Sequence, residues 1–373
     1  MSDQTKPWLE SRLPLAASFR AHVSERQIAH DRPYLAALGT LILGTLIFLV
    51  LSGFVLSLYY VAVEGDAYNS IQVIMRGVND GWLIRGFHAT GTTMLFGLVY
   101  LAIFRALITG SYRMPGELVW MLKLIFLLLI LLIGYLGYAL EDGAISYWSL
   151  HEVTLAGAQL SSFPGNISNW FFGGPAGPGT LARLAVMHGL LAFLAFGVLA
   201  LHYYAKRAVA VAPKKTVSLH PYYTSHHFVA VSVFVLLFAV LVFYAPHLGE
   251  NPLNAVAANP LVVPTVVTPP WYLLPVSAFS TMFPGAKGGI IGVIAAFAVL
   301  FAVPWLDRSP KNASPSLLYK FLVLVMGLDV FALGCTTADG PSLMNSILTT
   351  IFIGWYFLHF LVLTPLATAR ESK

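Results

Sequence analysis

The sequence predicts an all-α integral membrane protein with eight transmembrane helices: an N-terminal four-helix bundle and four C-terminal helices. Three observations carry this. Of 373 residues, 58% are hydrophobic and 10% charged, with a mean hydropathy of +0.77, the composition of a chain that sits in lipid. Eight segments reach the roughly 20 apolar residues that a helix needs to cross a bilayer. Lys and Arg collect in alternate connections, as they do in loops retained on the cytoplasmic side.

Residues 1–33 read as a cytoplasmic-side segment. Its start, "MSDQTKPWLESRLPL", is too polar for a cleaved signal peptide, so the first helix is expected to act as the insertion signal. Helices starting near Tyr34, Trp82, Leu118 and Leu181 make one domain over 34–210. Those starting near Phe228, Gly288, Leu317 and Met344 make a second region over 211–373. The basic, proline-containing linker "AKRAVAVAPKKTVSLHPYYTS" reads as a surface connection between them.

Lys6, Arg12, Arg20, Arg26 and Arg32 precede the first helix. Arg113, Lys206, Arg207, Lys214, Lys215, Arg308, Lys311 and Lys320 fill every second connection. The opposite connections hold only Arg76 and Lys287, so both termini are expected on the cytoplasmic side of a bacterial-type inner membrane. The formal charge of +5 calls for no nucleic-acid partner. The single cysteine, Cys335, excludes an intrachain disulfide, a CxxCH haem attachment and an iron–sulfur cluster held by this chain alone. Any metal centre therefore rests on the eleven histidines.

Two outer connections, 141–180 and 247–287, are long and rich in Gly, Pro and aromatics. Loops of that length in a compact protein are usually functional, and together they are expected to roof a site at the outer membrane surface.

The spacing of polar residues inside the helices carries the chemistry. His188 and His202 lie fourteen residues apart on the fourth helix, hence on one face and about 21 Å apart along its axis. Helix packing explains many lone membrane histidines, but a pair at this interval is a stronger functional signal. Gly39 and Gly53 repeat the interval on the first helix, where missing side chains let a flat macrocycle approach the backbone. Matching intervals fit two stacked haems. Imidazoles from facing helices can ligate iron on both faces, and a bis-histidine iron with no open position transfers electrons. Arg85 and Arg183 lie at the outer level with His88 and His188, and Arg105 at the inner level with His202, as cations for propionates. His88 has no companion fourteen residues on, where the chain has Ala102.

"RGFHATG", "RALITGSY", the two helix-four histidines, "LHPYYT", "ANPL", "PPWYLLP", "PWLDRSP" and "YFLHFLVLTPL" occur in an order and at spacings that resemble cytochrome b. That family is the haem-bearing, quinone-binding subunit of the cytochrome bc complexes, and the resemblance spans essentially the whole chain. It implies haem b held by His88 and His188 at the outer level, with Arg85 and Arg183 at its propionates and Gly53 and Gly137 as close-approach glycines. At the inner level His202, Gly39 and Arg105 match. The partner histidine is Ala102, and the glycine fourteen before Gly137 is Lys123. Three arrangements follow: no inner haem, an inner haem with His202 as its only protein ligand, or Lys123 as a neutral amine ligand opposite His202.

The resemblance also implies two quinone pockets. In the outer one the family's proline–glutamate–tryptophan–tyrosine motif reads Pro269, Pro270, Trp271 and Tyr272, without the proton-accepting carboxylate. The connection "EDGAISYWSLHE" brings Glu141, Asp142, Tyr147, His151 and Glu152 to that region, and His151 or Glu152 is the expected substitute base. In the inner pocket the quinone-contacting positions fall on Arg207 and His227. His359 reads as a helix-packing histidine and His247 as a surface one.

The resemblance implies a quinol-oxidising subunit with a Rieske iron–sulfur protein and a c-type cytochrome as partners, in a homodimeric complex embedded in lipid. Two alternatives stand beside it. One is a divergent subunit that exchanges electrons between quinone and another periplasmic cytochrome through one haem. The other is a non-catalytic membrane scaffold.

Overall fold

The computed structural model describes residues 14–29, 33–160, 167–173, 179–210, 215–310 and 313–372. Lys6, Arg12, Arg32, Lys214 and Lys311, among the charges behind the expected orientation, lie outside those residues. The described helices are α1 (Leu15–Phe19), α2 (Pro33–Ser57), α3 (Ala67–Gly77), α4 (Gly81–Thr109), α5 (Glu117–Ala139), α6 (Ala144–Leu160), α7 (Ile167–Phe172), α8 (Thr180–Ala208), α9 (Thr224–Tyr244), α10 (Leu274–Ser280), α11 (Gly285–Leu306), α12 (Leu317–Ala338), α13 (Leu343–Leu358) and α14 (Thr364–Ala369). A π-helical turn, His359–Leu363, joins α13 to α14. Two short strands, β1 (Gln27–Ala29) and β2 (Thr216–Ser218), pair antiparallel and tie the N-terminal segment to the linker.

Eight helical spans are long and apolar enough to cross a membrane: α2, α4, α5, α8, α9, α11, α12 and the joined α13–α14. They are apolar all round because one side meets other helices and the other meets lipid. Along α9, for example, Val242 is the buried residue. Helix α2 packs on α4, α4 on α5, α5 on α8, and α8 closes on α2, giving a ring of four. Helix α9 leans on α2 and α4, α12 on α4, and α11 on α5 and α6. One continuous core joins the two halves, from Leu46, Leu95, Phe96 and Ile130 to Phe279, Val323 and Phe360.

Local chemistry stops the helices. Gly110, at φ +66°, takes the left-handed conformation past the end of α4, and its N–H bonds back to Ala106 and Leu107, a conformation that glycine adopts without steric cost. Just beyond it, Arg113 donates from Nε to Asp307 Oδ2 at 2.8 Å and pairs through Nη2 with Glu371 at 2.9 Å. Tyr112 also donates to Asp307, at 2.6 Å. This buried group clamps the N-terminal bundle to the C-terminal helices at the face opposite the two long connections.

The two long outer connections are more regular than the sequence suggests. The first carries the seventeen-residue helix α6 and the short α7; the second carries two 3-10 turns and α10. They join each other. Ala144 N donates to Val256 O at 2.8 Å and Ser146 N to Asn254 Oδ1 at 2.8 Å. Helix α3 adds Tyr68, whose hydroxyl donates to Ala255 O at 2.6 Å. The result is a braced roof over the outer end of the four-helix ring.

Candidate functional site

Outer denotes here the face with the two long connections. His88 sits on α4 and His188 on α8, seven and eight residues after Gly81 and Thr180; as alternate spans the two helices run in the same direction, which brings the histidines to one depth. Their ring centres are 6.2 Å apart.

Each ring is held by its Nδ1. His188 Nδ1 lies 2.9 Å from Ile133 O, and a carbonyl only accepts, so this nitrogen carries the proton. His88 Nδ1 lies 3.1 Å from Ser52 Oγ. The Ser52 hydroxyl has Phe48 O at 2.9 Å and Leu49 O at 3.1 Å to donate to, which leaves its oxygen to accept from His88. Both imidazoles therefore keep Nε2 as a free lone pair, the way outer partners set the tautomer of metal-binding histidines.

Two glycines shape the space behind the rings. A Cβ on Gly53 would stand 3.0 Å from His88 Cε1, and one on Gly137 2.8 Å from His188 Cε1. Only missing side chains let the rings sit against the helices. A cavity of about 550 Å³ opens between them, lined by His88, His188, Gly53, Gly137, Arg85 and Glu141, and by Pro270, Trp271 and Tyr272 from the roof.

These residues fit a haem. An imidazole nitrogen sits about 2 Å from a first-row metal and its ring centre about 1 Å further, so rings on opposite faces of one ion have centres about 6 Å apart. The donors are two neutral nitrogens, and the cavity size is that of a cofactor site.

At the outer rim, Arg85 pairs through Nη2 with Glu141 Oε1 at 3.2 Å and through Nη1 with Glu250 at 3.8 Å. Asn254 Nδ2 donates to the second Glu141 oxygen at 2.5 Å, and Glu250 also meets the exposed His247 at 3.0 Å. Burial lifts the Glu141 carboxyl above its usual range, with Arg85 and Asn254 pulling the other way. Tyr272 stacks on Phe96 at 3.9 Å and donates to Gly134 O at 3.2 Å. Its carbonyl accepts from Tyr100 at 2.6 Å, and Trp271 Nε1 reaches Thr93 Oγ1 at 3.4 Å. The "PPWY" segment is thus pinned to α4 and α5 at the cavity wall.

Not every expected residue lies there. The cavity lining includes neither Pro269 nor Tyr147, His151 or Glu152. Tyr147 and His151 stack along α6, and Glu152 is exposed. Arg183 is exposed too, its guanidinium against Gly173. The carboxylates at the cavity are Glu141 and Glu250. Glu141 belongs to the stretch that replaces the missing acid, but its place depends on Asn254 from the other connection, a contact with no local sequence signal.

At the inner level His202 Nδ1 lies 3.2 Å from Val119 O, the counterpart of His188 on Ile133. Lys123 Nζ lies 3.4 Å from Ala102 O. A Cβ on Gly39 would meet nothing within 4 Å. Arg207 lies over the Tyr203 ring at 5.5 Å, and His227 Nδ1 is 2.9 Å from Tyr223 O, one turn back in the turn that precedes α9. His359 is fully buried among the last helices, with no hydrogen-bond partner for either ring nitrogen among the described residues.

Comparison with known proteins finds family matches along most of the chain. The family model described as Cytochrome b/b6/petB matches residues 25–210, and that described as Cytochrome b(C-terminal)/b6/petD matches 257–358. The chain is 34% identical to cytochrome b of Rickettsia bellii over 98% of its own length and 94% of the relative's. It is 34% identical to cytochrome b of Rhodospirillum rubrum, over 96% and 91%. Among solved structures it resembles a chain of a hyperthermophilic respiratory Complex III, with a TM-score of 0.87, 27% identity and coverage of 98% and 99%.

Proposed function

The chain belongs to the cytochrome b family of the bc complexes, multi-pass membrane subunits of respiratory oxidoreductases, and from that premise we propose that it oxidises quinol at its outer face. In this proposal His88 and His188 hold one haem b, and quinol lies between that level and the "PPWY" wall. Haem, when bound, supplies a one-electron carrier. The observation that carries the reading is the pair of opposed, tautomer-fixed imidazoles opening on the same cavity as Tyr272 and a half-buried carboxylate.

The chain's own residues do the rest. Ser52 and Ile133 hold the two rings with Nε2 forward, and a pair of histidine ligands leaves no open position for oxygen chemistry. Quinol gives up two electrons and two protons, so a base must stand within hydrogen-bond reach of its hydroxyl. Glu141 fills that role: desolvation raises its carboxyl above the usual glutamate range, and Asn254 and Arg85 fix its orientation. Arg85 also stands where a propionate would approach. Electrons pass to a high-potential partner on the outer face, a Rieske iron–sulfur protein with a c-type cytochrome beside it, and both termini face the cytoplasm.

Quinol-driven reduction of the b-type absorbance in the purified complex tests the proposal. We expect full reduction in the parent and none in His188→Ala; reduction that persists in the variant contradicts the assignment.

A further inference from the structure

Two levels of the ring are related by fourteen-residue steps on all four helices. Gly53, His88, Gly137 and His188 at the outer level correspond to Gly39, Ala102, Lys123 and His202 at the inner one. Even the carbonyls that hold the α8 histidines, Ile133 O and Val119 O, are fourteen apart. The inner level thus has the backbone frame of the outer one and can be compared with it position by position.

Position 137 faces the edge of the His188 ring, where even one carbon would crowd it. Position 123 is its equivalent beside His202 and carries a lysine. That side chain leaves α5 next to His202 and ends 3.4 Å from the carbonyl of Ala102, on the helix that supplies the opposing imidazole at the outer level. It crosses the space that a flat macrocycle would need, and at its far end there is a methyl group instead of a second ligand. Arg105 and Lys206 are close enough to act on Lys123, and Lys123 and Lys206 on His202. Placing a porphyrin there means setting the half-buried ammonium, already among cationic neighbours, against an iron cation with no counter-charge to offset it.

We infer that the inner level is not a haem site, that Lys123 fills it, and that the chain carries one haem. The inference rests on the outer-level assignment of the proposed function. It changes the stoichiometry of the reaction's outlet: with no second centre across the membrane, both electrons of a quinol leave to one-electron acceptors at the outer face, and both protons leave on that side.

The test is haem per chain, by pyridine haemochromogen against quantitative amino-acid analysis, in the purified intact complex. One is expected. Two overturns the inference and leaves the outer site standing, whereas none overturns both. The paired substitution Lys123→Gly with Ala102→His is expected to raise the ratio from one to two and to add a second low-spin ferric signal. If the ratio stays at one while the first signal is unchanged, Lys123 and Ala102 are not what closes the inner level.

Discussion

His188 Nδ1 and Ile133 O are 2.9 Å apart, so a backbone carbonyl of one membrane helix fixes which nitrogen its neighbour offers to the cavity. Ser52 does the same for His88 with a side chain, and a side chain can be removed. Ser52→Ala leaves His88 free to turn. Loss of such an outer partner weakens a metal site by roughly 10- to 100-fold, which haem transfer to an acceptor protein would measure as faster loss at an unchanged starting content.

The glycines behind the rings give a sharper steric test. In Gly137→Ala the new carbon would stand 2.8 Å from His188 Cε1, and in Gly53→Ala 3.0 Å from His88 Cε1, so one ring or helix must shift. Both variants should bind less haem, Gly137→Ala the more severely. Gly197 lies on the same helix as His188, and a Cβ added there would meet nothing within 4 Å, so Gly197→Ala should keep the parent content.

Glu141 sets the expected pH dependence. Its carboxyl titrates above the ordinary glutamate range because the half-buried side chain is partly desolvated, and as a base it works only when deprotonated. Quinol oxidation should therefore fall as pH drops through that raised value. Glu141→Gln should lower kcat by about 100-fold or more and remove this acid limb from the rate profile. An unchanged profile would return the role to His151 or Glu152.

Asp142 offers a stability test without catalysis. Burial pushes its carboxyl up to about 6, against a hydrogen bond from Gly65 N. A folded value above the unfolded one means that the charged form is disfavoured on folding, so stability is lost as pH rises from about 4 to about 6. Asp142→Asn should stabilise the protein above pH 6 by at most about 3 kcal/mol and have no effect below about pH 4, as followed by thermal unfolding in detergent.

The inner-face clamp should show the reverse. Burial works against the Asp307 charge, but hydrogen bonds from Ser309 and Tyr112, together with Arg113, hold its carboxyl below the usual range. Arg113→Ala would strand that carboxylate and Glu371, a loss of about 3–5 kcal/mol for a buried pair, read as a lower melting temperature and easier proteolysis of the connection after α4.

Much of this is legible in the sequence, because a bilayer imposes length and a macrocycle imposes an interval. The eight spans follow from apolar length, and the fourteen-residue step from His188 to His202 marks the two levels. What is not legible depends on contacts between distant segments. Helix α3 buries Ala67, Ser70 and Ile74, a helical stripe too short to stand out between two membrane spans. Helix α6 is hidden in a connection whose glycines and prolines suggest irregular chain. His151 and Glu152 have the residue types of a base and so stand out over Glu141, yet they lie on α6 away from the cavity lining. Only the fold brings Asn254 from the roof and Arg85 from α4 to Glu141 and turns an ordinary loop acid into a half-buried one at the cavity.

The axial ligands of the bound iron can be read directly by near-infrared magnetic circular dichroism of the ferric complex. Two imidazoles, in a low-spin signal that disappears in both His88→Ala and His188→Ala, are the expected result. A high-spin iron, a ligand pair other than two imidazoles, or a signal that survives either substitution would contradict the outer-level site.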